Sequence, residues 1–178
     1  MITQLDFAVL DWIQANMRCA LLDWLMPIAT ALGTAGIIWI ALLVVFLFVK
    51  KRRDSGIEMA AGLICGLLVT NLILKNLVAR ARPCWLRPEV SLLASVPTDY
   101  SFPSGHATSC FCCAVILMHH DRRFGIPALI LAVVISFSRM YLYLHFPSDV
   151  IAGAALGSLI AVLMIKCMKQ IRKPRSSN

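Results

Sequence analysis

The chain has 178 residues, 60% of them hydrophobic and only 15% charged, with a mean hydropathy of +0.80. Soluble domains run nearer half apolar and a quarter charged, so this composition excludes a disordered chain, and equally a long soluble domain on a single anchor. The formal charge is +8, from 17 Lys and Arg against 9 Asp and Glu; beside such apolar runs it argues for loop sidedness in a membrane and against a nucleic-acid partner.

In chain order, residues 5–17 place Leu5, Val9, Trp12 and Ile13 on one helical face and Asp6 and Gln14 on others. This pattern predicts a short amphipathic helix lying at the membrane surface, with Trp12 at headgroup level. Asp6 and Asp11, with no early Lys or Arg, do not have the form of a cleaved signal peptide. Leu25 to Val49 carries no charge and is long enough for one span but too short for two. Pro27, Gly33 and Gly36 are expected to break its first part into a kinked or re-entrant piece.

A basic turn at Lys50, Lys51, Arg52 and Arg53 precedes a second span, Gly56 to Leu74, which ends at Lys75. A polar loop, Asn76 to Phe102, follows. The third span runs from Ser104 to the His119–Arg123 turn, and the fourth from Phe124 to Leu144. Pro147 opens the fifth, as proline suits a first helical turn, and this span reaches Ile165. Residues 166–178 form a basic tail. The whole of 1–178 reads as one all-α domain, a transmembrane bundle of about five spans plus the N-terminal interfacial helix.

Alternate crossings put the 50–53 turn, the 119–123 turn and the tail on one side. The positive-inside rule assigns that side to the cytoplasm. Lys75, the 76–102 loop, the start of the third span and the turn before the fifth gather on the opposite, non-cytoplasmic face. Of the seven cysteines, Cys65, Cys110, Cys112, Cys113 and Cys167 fall in apolar runs and read as small hydrophobes. Cys84 is the thiol expected to be exposed. No Cys-x-x-Cys pair has a matching His or Cys partner for zinc.

Three polar clusters lie on the non-cytoplasmic face. One is Lys75 followed by Arg82-Pro83; another is Pro103-Ser104-Gly105-His106; the last is Ser138-Arg139, His145 and Asp149. The cations Lys75, Arg82 and Arg139 suit a phosphate, whose oxygens an ammonium and guanidinium forks neutralise. Ser104 and Gly105 open a helix, where free backbone donors favour an anion. Asp149 sits one helical turn beyond His145 and could hold its ring in one tautomer, leaving an imidazole able to attack phosphorus. His106 would be a second imidazole that protonates the leaving oxygen. Each cluster alone has a plainer reading: Arg139 could merely snorkel, Lys75 and Arg82 could bind anionic lipid, and Pro-Ser-Gly is an ordinary loop-to-helix junction. Their convergence on one face favours chemistry.

Together the three clusters resemble the tripartite motif of the type 2 phosphatidic acid phosphatase family, which is shared with vanadium-dependent haloperoxidases and glucose-6-phosphatase. The resemblance implies a metal-independent phosphatase with no cofactor. In it His145 is the nucleophile, Asp149 its orienting partner and His106 the acid, later the base that activates water. Lys75, Arg82, Ser104, Gly105 and Arg139 would hold the phosphoryl oxygens. The implied substrate is a lipid phosphate or diphosphate within the bilayer. Small members of this shape resemble undecaprenyl-diphosphate phosphatases, and phosphatidylglycerophosphate or phosphatidic acid is the alternative substrate. A lipid phosphotransferase and a lipid-binding or flipping protein are rival roles. Arg80 and Arg87, outside the motif, would widen the positive field toward a diphosphate or else touch lipid headgroups. Nothing in the sequence fixes an oligomeric state.

Overall fold

A computed structural model describes residues 2–171, in which all regular structure is helical. Helix α1 (Ile2–Met17) is followed by α2 (Ala20–Gly33), and a 3-10 turn at Thr34–Gly36 leads into α3 (Ile37–Phe48). The expected break in this apolar stretch falls at that turn, where Ala35 and Gly36 have φ of 50° and 69°. Glycine populates this left-handed region without penalty, so the chain can change direction there. Pro27 is tolerated inside α2.

Helix α4 (Arg53–Leu67) runs on through a π turn at Leu68–Leu74 into α5 (Lys75–Val78). Ala79, in the left-handed region, ends the rod. A short helix α6 (Pro83–Leu86) lies in the following loop. Then come α7 (Gly105–His120), α8 (Arg122–Tyr141) and α9 (Pro147–Ile171). The boundaries differ modestly from the hydropathy pattern: α8 is capped earlier, by the Asp121 carboxylate, and α9 continues past Ile165. Arg172, Lys173 and Arg175 of the basic tail lie outside the described residues.

Among the described residues four helical stretches are long and apolar enough to cross a membrane: Ala20–Phe48, Lys50–Leu86, Arg122–Tyr141 and Pro147–Ile171. Helix α7, the shorter one, sits among α4, α8 and α9 and buries Cys110, Cys112, Cys113, Ile116 and Leu117 in the main core. Its approach to α9 depends on Gly153 and Gly157, spaced as a small-xxx-small pair. A Cβ at Gly157 would stand 2.2 Å from the Thr108 carbonyl oxygen, and one at Gly153 2.5 Å from that of Ser104. This close contact fixes the start of α9 against the start of α7.

The two ends of the bundle are chemically distinct. At one, Arg52 donates to Asp121 at 2.8 Å, stacks over Phe124 and so joins the 50–53 turn to the 119–123 turn. The shared side expected for those two basic turns is therefore present. Lys75, Arg82, His106, Arg139 and His145 meet at the other.

Two expectations need correction. Cys84 is buried, packed with Ile13, Met26 and Tyr141, while Cys19 and Cys167 are exposed. On α1, Leu5, Val9 and Trp12 do face outward, but Ile13 turns inward with Leu10 and Asp6. The inward face is partly polar, because the protein rather than water satisfies Asp6: its carboxylate accepts from Arg80 at 2.7 Å and from the Ser148 amide at 3.0 Å.

Candidate active site

A cavity of about 620 Å³ opens where α2, α4 and α7 meet, and its lining includes Lys75, Arg82, Gly105, His106, Arg139 and His145. Residues from three separate segments of sequence are thus gathered around one space. Apolar side chains Ile40, Leu63 and Leu67 line its other side, giving it the apolar body and few polar groups of a ligand site.

Each polar residue arrives by a local structural cause. The π turn at 68–74 lies directly before Lys75 and adds a residue to the helical register; Lys75 is buried at its end. Ser104 caps α7, its hydroxyl accepting from the Ala107 amide at 3.5 Å while its own amide donates to the Asp149 carbonyl at 3.0 Å. Gly105 leaves its surface open to the cavity: a Cβ there would be 4.0 Å from Lys75 Nζ. Arg139 closes α8, and its Nη1 donates to Thr30 Oγ1 at 2.5 Å.

His145 is completely buried between α8 and α9. Arg82 Nη1 lies 3.0 Å from its Nε2. Since guanidinium can only donate, Nε2 carries the lone pair and Nδ1 the proton. That proton faces Ser101 Oγ at 3.4 Å, and the Ser101 hydroxyl donates to Asp149 Oδ2 at 2.5 Å. Asp149 Oδ2 itself is 3.7 Å from Nδ1, beyond hydrogen-bond range. The expected direct contact between His145 and Asp149 is accordingly replaced by one through Ser101. Burial, then the charges of Arg82, Arg139 and Lys75, hold the His145 imidazole well below its ordinary range, so it is neutral at pH 7.

His106 packs on α2. The Thr30 carbonyl accepts from its ring, and a Cβ at Gly33 would lie 2.8 Å from its Cδ2. Its Nε2 and the Nε of Arg139 are buried without a hydrogen-bond partner. Buried polar atoms are nearly always paired, so two orphans beside one cationic cavity indicate a polar ligand.

Arg80 and Arg87 do not serve this cavity. Arg80 donates to Asp149 Oδ1 at 2.5 Å and to Asp6 at 2.7 Å, and stacks over Phe146. Arg87 pairs with Asp11 at 2.6 Å. Both tie α1 to the site's rear wall, so neither the wider positive field nor a headgroup role is needed to explain them.

Sequence spacing did not signal Ser101, Thr30 or Asp99 as site residues, nor the part of Arg80 as a clamp on Asp6 and Asp149. Only Ser101 carried any cue, lying three residues before Ser104 in a polar loop. Asp99 ion-pairs with both Lys75 and Arg82. Burial pushes its carboxyl up, but the Lys75 hydrogen bond and the Arg82 charge outweigh that and hold it at about 2. Among the described residues no group of three or more His, Cys, Asp or Glu is arranged to hold a metal ion.

A family model described as the PAP2 superfamily matches residues 55–173. The chain is 36% identical over 130 residues to an undecaprenyl-diphosphatase of Sulfolobus acidocaldarius, covering 72% of this chain and 63% of that protein, so it spans less than two thirds of this relative's length. It is 29% identical to a decaprenylphosphoryl-5-phosphoribose phosphatase of Mycobacterium tuberculosis, over 85% of this chain and 86% of the relative. The crystal structure of a transmembrane PAP2-type phosphatidylglycerolphosphate phosphatase from Bacillus subtilis superimposes with a TM-score of 0.79. That match has 28% identity and covers 98% of this chain and 89% of that one.

Proposed function

The chain belongs to the PAP2 superfamily, and from that premise we propose that it is an integral membrane phosphatase that converts undecaprenyl diphosphate to undecaprenyl phosphate. The observation that carries the reading is the meeting of two imidazoles and three cations, Lys75, Arg82 and Arg139, around one cavity that also presents the apolar side chains Ile40, Leu63, Ile64 and Leu67. A prenyl tail would lie along the apolar side while the diphosphate reaches the cations. The relative named for the same substrate supports this choice.

In this reading the lone pair on His145 Nε2 attacks the terminal phosphorus. The bond to the bridging oxygen breaks, and that oxygen takes a proton from His106 Nε2 as undecaprenyl phosphate leaves. His106 enters this step as the imidazolium that the bound diphosphate's negative charge favours, its other N–H staying on the Thr30 carbonyl. Water then attacks the phosphohistidine, giving up its proton to His106, and inorganic phosphate departs with the P–N bond electrons returned to His145. Ser101 and Asp149 hold the His145 tautomer. Lys75, Arg82, Arg139 and the open backbone at Gly105 receive the phosphoryl oxygens, whose charge grows toward the transition state. Ser104, expected to hold phosphoryl oxygens, is buried behind the cavity lining with its hydroxyl on the Ala107 amide, so in this reading it acts through its cap, which fixes the first turn of α7. No step uses a metal or other cofactor.

The proposed topology has five spans, with α7 as the fifth and α1 lying in the interface, in a single domain of residues 1–178. The excess of Lys and Arg at the 50–53 and 122–123 turns favours a cytoplasmic location for that end. The cavity would then face the opposite side of the cell membrane. Phosphatidylglycerophosphate is the second reading, supported by the name and full-length similarity of the Bacillus subtilis structure. A panel of polyprenyl diphosphate, phosphatidylglycerophosphate and phosphatidate in one detergent, with phosphate release measured and no lipid acceptor added, tests the assignment. Preference for either glycerolipid would overturn the substrate, and release only with an acceptor would make the protein a transferase.

A further inference from the structure

We propose that Asp99 is a resident anion that occupies the phosphoryl-binding cations until substrate displaces it, and thereby sets how tightly the site holds phosphate. The inference rests on the reading of the cavity as a phosphoryl site, and it adds a residue that lies outside all three motif clusters.

The donor inventory of Arg82 carries it. A guanidinium has five N–H groups. The Nε of Arg82 donates to the Asp99 carbonyl at 2.7 Å, and its Nη2 donates to Asp99 Oδ1 at 2.7 Å and to the Tyr100 carbonyl at 3.4 Å. Its Nη1 donates to the Leu144 carbonyl at 2.8 Å and faces His145 Nε2 at 3.0 Å. Every edge of the fork is engaged by the protein itself. Lys75 is likewise engaged by the other oxygen of the Asp99 carboxylate. While that carboxylate stays in place a phosphoryl group finds no free edge on Arg82 and meets a Lys75 ammonium whose charge is already partnered.

The asymmetry of exposure shows which partner can move. The Lys75 and Arg82 side chains are 7% and 2% exposed, whereas that of Asp99 is 52% exposed. The cations are buried and the anion stands half-exposed on the 76–102 loop. Asp99 also has somewhere to go: it forms part of the wall between the main cavity and a second cleft of about 340 Å³, lined by Asn71, Lys75, Asn76, Thr98 and Tyr100. A carboxylate rotated into that cleft would meet the amide and hydroxyl groups of its lining and remain near Lys75. Its release frees one Nη2 donor of Arg82 and one ammonium donor of Lys75 for phosphate, while the backbone carbonyls of Asp99, Tyr100 and Leu144 keep the guanidinium in place.

A resident competitor and a brace make opposite predictions. If Asp99 merely held Lys75 and Arg82 in position, removing it would loosen them and weaken anion binding. If it competes, removal strengthens binding by the reciprocal of the fraction of time the site stands open, about tenfold for a site open one time in ten. Orthovanadate and inorganic phosphate, as inhibitors of the purified full-length protein in detergent, read this directly. Asp99→Ala should lower both inhibition constants about tenfold, Asp99→Asn less, and Asp99→Glu should stay near the wild type. Unchanged or raised constants for a folded Asp99→Ala protein would overturn the proposal. Failure of the underlying reading looks different: the wild type itself would ignore vanadate and His145→Ala would still release phosphate, which would sink both.

Discussion

Ser101 Oγ donates to Asp149 Oδ2 at 2.5 Å, placing a hydroxyl where a direct bond between that carboxylate and His145 would otherwise be. The imidazole proton points at the serine, the serine proton at the aspartate, and the aspartate also accepts from the Phe146 amide at 2.9 Å. All three side chains are buried, so water cannot substitute cheaply for any of them.

Replacing Ser101 by Ala removes the relay but leaves the cations untouched. A hydrogen bond to a charged group is worth about 1.5–3 kcal/mol, so kcat should fall roughly ten- to hundredfold. KM and vanadate inhibition should stay near wild-type values. A parallel loss of vanadate affinity would instead assign Ser101 to phosphate binding.

His145→Ala should eliminate both turnover and the acid-labile phosphoenzyme in rapid-quench experiments. His106→Ala should slow phosphoenzyme formation by about 10²–10⁴-fold, the usual contribution of a positioned acid. A near-normal rate in either variant would remove the corresponding role.

Arg80→Ala should destabilise the protein by about 3 kcal/mol, since removing one partner strands the other charges in a buried site. Here two carboxylates, Asp6 and Asp149, lose the same guanidinium. Thermal unfolding in detergent would show a lowered Tm together with reduced kcat; an unchanged Tm would contradict the clamp between α1 and α9.

His145 has its folded pKa depressed from the ordinary 6.5 by burial and by Arg82, Arg139 and Lys75. The unfolded chain therefore takes up a proton near pH 6.5 that the native state refuses. The stability it contributes is complete above that pH and is lost as pH falls toward the folded value. NMR of ¹⁵N-histidine-labelled protein should show a neutral His145 ring, protonated at Nδ1, from pH 7 to 5. Titration at the usual imidazole pH would refute the assignment.

Thr30 and Gly33 explain why α2, whose path was the least legible from sequence, matters to the site. The Thr30 hydroxyl holds Arg139, its carbonyl holds the His106 ring, and Gly33 leaves space for that ring. None of these contacts follows from hydropathy, because α2 reads as part of an apolar run.

Periodicity and charge were sufficient for the long apolar helices in outline, for the common end of the two basic turns and for the three clusters at the other end, though not for α6 inside the 76–102 loop. These are local properties: an apolar run about one bilayer thick must be helical in lipid, and a helix end lies where its run stops. Which polar groups touch was decided by packing across distant segments. The approach of α9 to α7 at Gly153 and Gly157 brings the start of α9 beside the start of α7, and the 76–102 loop delivers Ser101 between His145 and Asp149. The same loop lays Asp99 on Lys75 and Arg82, and the inward turn of α1 takes Arg80 away from the cavity. Hydrogen bonds and ion pairs act over about 3 Å, and the linear order of residues does not encode distances that fine between separate helices.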